Sequence, residues 1–231
     1  DGGDATNSKP PTNFPKDLDA QFGKFPGKNS DQRVLNFALT LEILEADLYR
    51  QALNLASGRK LTDALKSDPD SYTRKVGGGG LSYGARDAGY LYLKQFTYIE
   101  AAHRDFLTAA LKGMGSPTVS RNPGGYKFAG KVDDNIKDIL TALLPLEETG
   151  VRAYLGALPY IKNGGIAQVA GTIYSTEARH SAVVAYALGK DPGPVPMKGD
   201  QKVVGTYPSP NTFEYFLKPS AVVKAIKPLF A

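Results

Sequence analysis

Glu100-Ala101-Ala102-His103 and Glu177-Ala178-Arg179-His180 contain the only two histidines of this 231-residue chain, each three positions after a glutamate. On an α-helix a three-residue step keeps both side chains on one face, so a carboxylate and an imidazole can reach one cation together. Glutamate is scarce, seven in all. Chance alone would set one at this offset before both histidines about once in a thousand chains of this composition.

The apolar pattern around the two tetrapeptides is helical. A helix is predicted from Arg86-Asp87 to Gly113, with Leu93, Phe96, Glu100, His103 and Leu107 on one face. Another runs over Ile166 to Leu188, with Ala170, Ile173, Glu177, His180 and Val184 on one face and Gly189 as its stop. A further long helix precedes each of these. The first starts at the N-cap signal Ser30-Asp31 and runs to about Ser57 before Gly58, with Val34, Phe37, Leu41, Leu44 and Leu48 as its buried stripe. The other extends from Asp133-Asp134 to about Lys162, and Pro145 within it should bend or break it locally.

Between these helices the chain is rich in turn residues. Residues 59–85 form a long connection with a short helix expected at Leu61 to Lys66. The run Gly77-Gly78-Gly79-Gly80 reads as flexible chain, set where it can act as an entrance lid. No Gly-Lys-Ser/Thr follows it, so it is not a phosphate loop. Residues 114–131 read as a crossover loop between the second and third helices. Residues 1–29 are expected to be an extended arm, and residues 191–231 a Pro-rich tail with a short amphipathic helix at Pro219 to Leu229.

The two halves repeat without a gap. Leu39-Thr40-Leu41-Glu42, followed by Tyr49 and Ala52-Leu53, matches Leu144-Pro145-Leu146-Glu147, followed by Tyr154 and Ala157-Leu158. Glu100-Ala101 and His103, followed by Ala110-Leu111, match Glu177-Ala178 and His180, followed by Ala187-Leu188. Each half is a Glu-bearing helix and then a Glu-x-x-His helix. Two halves related by a pseudo-two-fold make an all-α four-helix bundle with a paired site at its centre, over residues 30–190.

Carboxylates on the apolar stripes of core helices are costly unless their charge is compensated. Two divalent cations held by Glu42, Glu100, His103, Glu147, Glu177 and His180 would compensate it. Oxygen and nitrogen ligands without a thiolate suit iron or manganese, and zinc less well. Glu100 and Glu147, or their symmetry mates Glu177 and Glu42, are the candidates to bridge the ions. Glu45 points nearer the centre of its helix's apolar stripe than Glu42. The repeat favours Glu42 because it pairs with Glu147, and Glu45 is held in reserve. Glu148 is expected in solvent. Tyr49 and Tyr154, two turns after Glu42 and Glu147, could hydrogen-bond a ligand carboxylate or donate one electron; the commoner reading is packing with a satisfied hydroxyl.

With these residues in place, the chain resembles the ferritin-like superfamily of di-metal carboxylate proteins. The segments Leu35 to Glu45 and Leu146 to Tyr154 resemble its desiccation-related, secreted branch. The resemblance implies an antiparallel bundle with a long crossover between helices two and three, and reactivity toward peroxide or dioxygen in stress defence. It also implies export, in keeping with a first residue that is Asp1 rather than Met. A metal-storage protein, or a stress-protection protein with a structural metal site, is the alternative, and a homo-oligomer is compatible with either.

Composition narrows the classes. A chain without cysteine has no disulfide, thiolate nucleophile or Cys-based cluster. A formal charge of +5 is spread without a run of five basic residues, which argues against a nucleic-acid partner. No apolar stretch reaches the roughly 18 residues of a membrane span. With both histidines committed to the Glu-x-x-His pattern, no Ser/His/Asp arrangement is available.

Overall fold

A computed structural model describes residues 15–202 and 213–231. Residues 1–14 of the expected arm and 203–212 of the expected tail lie outside the described residues. Six α-helices are present among those described: α1 (Leu18–Phe22), α2 (Ser30–Ala56), α3 (Tyr83–Gly113), α4 (Ile136–Ala157), α5 (Gly164–Ala187) and α6 (Pro219–Ile226). The architecture is all-α, with one small antiparallel pairing of residues 201–202 with 215–216.

All four long helices begin on a polar side chain that accepts from a backbone N–H of the first turn: Asn29, Ser82, Asn135 and Asn163. Such caps satisfy donors that have no partner within the helix. The first cap is therefore Asn29, just before the expected Ser30-Asp31. Gly58 and Gly115, at φ +66° and +63°, end α2 and α3 in the left-handed conformation that glycine adopts without strain. The helix α4 runs unbroken through Pro145, whose ring lies on the exposed side.

Helix α2 packs chiefly on α3, and α4 on α5, and the two pairs then face each other. Cross-contacts give the directions. Tyr49 reaches Glu147 while Tyr154 reaches Glu42, so α2 and α4 are antiparallel. Glu100 meets His180 while His103 meets Glu177, so α3 and α5 are antiparallel as well. Ser57 at the end of α2 meets Tyr90 near the start of α3. Helices α3 and α4 thus run parallel, and residues 114–135 must return along the bundle, about 30 Å for helices of this length.

The connecting segments are held in place. Asn36, fully buried on α2, donates to Pro26 and Pro117 and accepts from the N–H of Val119, fixing both the lead-in and the crossover to one helix. Part of the expected extended arm is helical, over α1, because Phe22 is fully buried against Phe37 and Tyr160. Residues 61–66 form turns rather than the expected short helix: Arg50 takes the carbonyls of Leu61 and Asp63, and Asn54 takes Asp63 as well. The glycine run is not a loose lid. Gly77 accepts from the N–H of Ile136, and a Cβ on Gly79 would lie 2.0 Å from the capping oxygen of Asn135.

Among the described residues, no helix is long and apolar enough to cross a membrane. The short helix expected at Pro219 to Leu229 is present as α6 and a following 3₁₀ turn.

Candidate metal centre

At mid-bundle the four long helices turn polar groups inward where the flanking turns supply Leu44, Leu48, Phe96, Leu143 and Ile173. Glu42, Glu100, Glu147 and Glu177 are each 0% exposed. His103 is brought there by α3 and His180 by α5, one turn beyond their glutamates. The Nδ1 of His103 lies 3.4 Å from Glu42, 3.3 Å from Glu100 and 3.3 Å from Glu177. The Nδ1 of His180 lies 2.8 Å from Glu100 and 3.5 Å from Glu147.

These side chains form two overlapping groups, Glu42-Glu100-His103-Glu177 and Glu100-Glu147-Glu177-His180. Within each, one oxygen or nitrogen per residue lies within 4.8 Å of all the others. Glu100 and Glu177 belong to both groups. The shared pair is thus drawn from the two Glu-x-x-His helices, and not from Glu100 with Glu147 or Glu42 with Glu177 as expected. The reason is the antiparallel register of α3 and α5, which sets Glu100 opposite His180 and His103 opposite Glu177.

The phenols follow the same exchange between halves. Tyr154 donates to Glu42 Oε1 at 2.6 Å, and Tyr49 donates to Glu147 Oε1. Each therefore serves the carboxylate of the opposite half. Burial, followed by the charge of the adjacent carboxylate, holds both phenols protonated far above their usual range.

The second oxygens have no such partner. Glu42 Oε2, Glu100 Oε1, Glu147 Oε2, both oxygens of Glu177 and both ring nitrogens of His180 are buried without a hydrogen bond among the described residues. His180 Nδ1 approaches Glu100 without the alignment of a hydrogen bond. A native interior buries few unsatisfied polar atoms, and their concentration at one point fits cations that would take up the lone pairs. The donors are carboxylate oxygens and imidazole nitrogens alone, a set that could hold a metal ion.

Without a cation, protons must offset the crowding. Burial raises Glu42 to about 7 against the pull of His103, and it raises Glu177 well above the carboxylate range, with Glu100 and Glu147 adding to it. Burial acts to raise Glu100 too, but contacts with His103 and His180 outweigh it and hold that carboxyl below its usual value. Burial disfavours charge on both imidazoles, yet the surrounding carboxylates lift His103 to about 12 and His180 to about 9.

A family model described as a ferritin-like domain matches residues 30–190. The chain belongs to the ferritin-like family. No curated relative matches it. Helix and histidine positions in this ferritin-like chain follow the spacing of the repeat, whereas several features of its centre depend on contacts between distant residues.

Glu45 stands beside Glu42 in the same interior rather than in its place. It is 4% exposed, with Oε2 unpartnered, and burial raises its carboxyl well above the usual range, with Glu177 adding to it. Its repeat mate is Gly150. A Cβ there would lie 3.2 Å from Glu45 Oε1 and 3.3 Å from Glu177 Oε2, so the missing side chain makes room for the extra carboxylate.

Glu148 is not in solvent as expected. It pairs with Arg152, which is 0% exposed, and accepts from the hydroxyl of Ser181. Arg152 also reaches Asp200 at 2.7 Å and the carbonyl of Val195, so the C-terminal segment covers this acid. The Glu148/Arg152 spacing of four was visible in the sequence; the covering residue, some fifty positions away, gave no local signal. Phe96 stacks on His180 with ring centres 3.7 Å apart, a contact between α3 and α5 that no pattern within one helix reveals.

Proposed function

We propose that this protein binds two iron or manganese ions, one in each overlapping group, and uses them in redox reactions with dioxygen or peroxide as a stress-defence protein. The observation that carries the reading is the pair of groups sharing Glu100 and Glu177, with unpartnered oxygens and nitrogens at their meeting point. A bound pair of redox ions would supply two electrons, enough with two protons to take dioxygen to hydrogen peroxide, or hydrogen peroxide to two waters.

The chain's own residues do the holding and the proton management. Glu100 and Glu177 would bridge, while Glu42 with His103 and Glu147 with His180 would each complete one side. Tyr154 and Tyr49 occupy one oxygen of each unshared carboxylate and leave the other for metal. The leucines and Phe96 around the centre exclude water, which strengthens each charge interaction. Glu45, buried and without a firm partner on Oε2, offers a further oxygen for a proton or an ion.

Elemental analysis after loading with iron or manganese tests the reading. Two ions per chain are expected, with oxidation on exposure to dioxygen or peroxide. Less than one ion per chain after reloading overturns it. Two ions without turnover in either oxidant would leave a storage or structural role instead. Resemblance to the desiccation-related, secreted branch supports an exported protein, and recovery of the mature chain outside the cytoplasm is the matching measurement.

A further inference from the structure

We propose that an open cleft on the outer side of α2 and α3 binds a small organic anion, a carboxylate or phosphate monoester carried on an apolar body. The cleft has a volume of about 940 Å³, the size of a small-molecule site. It lies where both long connections meet the α2–α3 face. Arg50 holds the carbonyl of Leu61 on one side, and Gln51 holds that of Tyr126 on the other. Ile43, Ala46 and Thr108 line it from the helices, Leu61 and Leu65 from the first connection, and Tyr126 from the second.

The charged side chains of this lining are three arginines, Arg50, Arg104 and Arg121, against one acid, Asp47. Asp47 is buried, and its Oδ1 accepts from both Arg50 and Arg121, each at 2.8 Å. Two guanidinium groups thus converge on a single carboxylate, which offsets only one of their charges. Arg50 is spent on Asp47 and on the carbonyls of Leu61 and Asp63. Arg121 gives Nη2 to the acid and keeps 56% of its side chain accessible. Arg104 pairs with Asp105, itself 69% accessible, a contact that solvent screens. The planar forks of Arg104 and Arg121 suit a carboxylate or phosphate, whose oxygens accept two N–H groups together.

The internal repeat shows how such a groove is filled. Ile43, Asp47 and Arg104 correspond to Glu148, Arg152 and Ser181 of the second half. There the C-terminal segment closes over the groove, and Asp200 sets both carboxylate oxygens on Arg152, at 2.7 and 3.2 Å. The carbonyl of Val195 joins it. In the first half the same place is open and its excess charge is cationic. An anion from solution takes there the part that Asp200 plays on α4. Ile43, Leu61 and Leu65 beside the arginines give an apolar body somewhere to rest, which free phosphate lacks.

Titration of the metal-free full chain tests this, with phenyl phosphate, phenylacetate, inorganic phosphate and benzyl alcohol as probes. One molecule of phenyl phosphate or phenylacetate per chain should bind, and the tighter of the two names the head group. Its affinity should exceed that of inorganic phosphate roughly tenfold through the buried ring, and benzyl alcohol should not bind measurably. Methyl resonances of Ile43, Leu61 and Leu65 should shift, and those of the buried Leu48 should not. Arg104→Gln and Arg121→Gln should each weaken binding about tenfold, the worth of one charge-assisted hydrogen bond. Arg33→Gln, outside the cleft, should leave it unchanged. Failure of both organic anions to saturate, inorganic phosphate or benzyl alcohol binding as tightly, or indifference to both cleft substitutions overturns the proposal. No metal enters the measurement, so its result stands apart from that of the redox reading.

Discussion

Tyr154 on α4 donates its phenol proton to Glu42 Oε1 on α2 at 2.6 Å, while Glu42 Oε2 is buried with no partner. One oxygen is thereby fixed and the other is aimed at His103, 3.4 Å away. Replacing Tyr154 with Phe leaves Oε1 unsatisfied in the interior, a loss of about 1–3 kcal/mol for a buried acceptor. Metal affinity should fall roughly 10–100-fold, as when an outer hydrogen bond to a ligand is removed. Denaturant unfolding of the metal-free variant and competition with a chelator measure the two effects, and Tyr49→Phe should behave alike through Glu147.

Sharing of Glu100 and Glu177 between the two ligand groups predicts unequal outcomes for single substitutions. Glu100→Ala and Glu177→Ala each remove an oxygen from both groups and should reduce bound metal to below one ion per chain. Glu147→Ala touches one group and should leave about one. Mass spectrometry of the native holoprotein, which counts ions per molecule, separates these cases. Equal losses at all three positions would count against the bridging arrangement.

Rising pH should weaken the metal-free fold and increase the stabilisation that metal adds to it. Burial raises Glu42 to about 7 and Glu177 well above the carboxylate range, and the carboxylates raise His180 to about 9. For each of these the folded value lies above the unfolded one, so the folded state binds more protons and stability falls as pH rises. The window runs from the ordinary carboxyl value of 4.5 through about 7 for Glu42, and from the ordinary imidazole value of 6.5 through about 9 for His180. Glu100, held low by the imidazoles, contributes with the opposite sign. Ligation requires deprotonated groups, so the stabilisation by metal should grow over the same range. Thermal melts of chelated and loaded protein between about pH 5 and pH 9 would show the melting temperature of the first falling and the gap between them widening.

Arg152 is buried against Glu148 and Asp200, so removing Asp200 leaves the guanidinium paired with Glu148 alone. Asp200→Asn should therefore cost less than the about 3–5 kcal/mol lost when a buried charge is left without any partner. Because the carbonyl of Leu217 sits 1.8 Å from where a Cβ on Gly156 would be, Gly156→Ala should displace the same segment from α4. Limited proteolysis between residues 191 and 218 should speed up in both variants.

The four long helices and the inward position of all six candidate ligands follow from short-range rules: apolar spacing, polar caps and one internal repeat. What could not be read there depends on contacts between distant parts of the chain. The choice of Glu100 and Glu177 as the shared pair depends on the register between α3 and α5, which neither helix encodes by itself. Glu148 looks like a surface acid until the segment around Asp200 covers Arg152. Phe22 looks like part of a polar lead-in until Phe37 and Tyr160 offer it a pocket. Glu45 competes with Glu42 for the interior until Gly150 on the facing helix clears a space for both.

Each ligand group takes residues from both hairpins: Glu177 of the second joins Glu42, Glu100 and His103 of the first, and Glu100 of the first joins Glu147, Glu177 and His180 of the second. In a chain without cysteine, a bound ion would therefore act as a reversible cross-link between its two halves. Withdrawal of metal would not merely silence the centre; it would unfasten one half from the other.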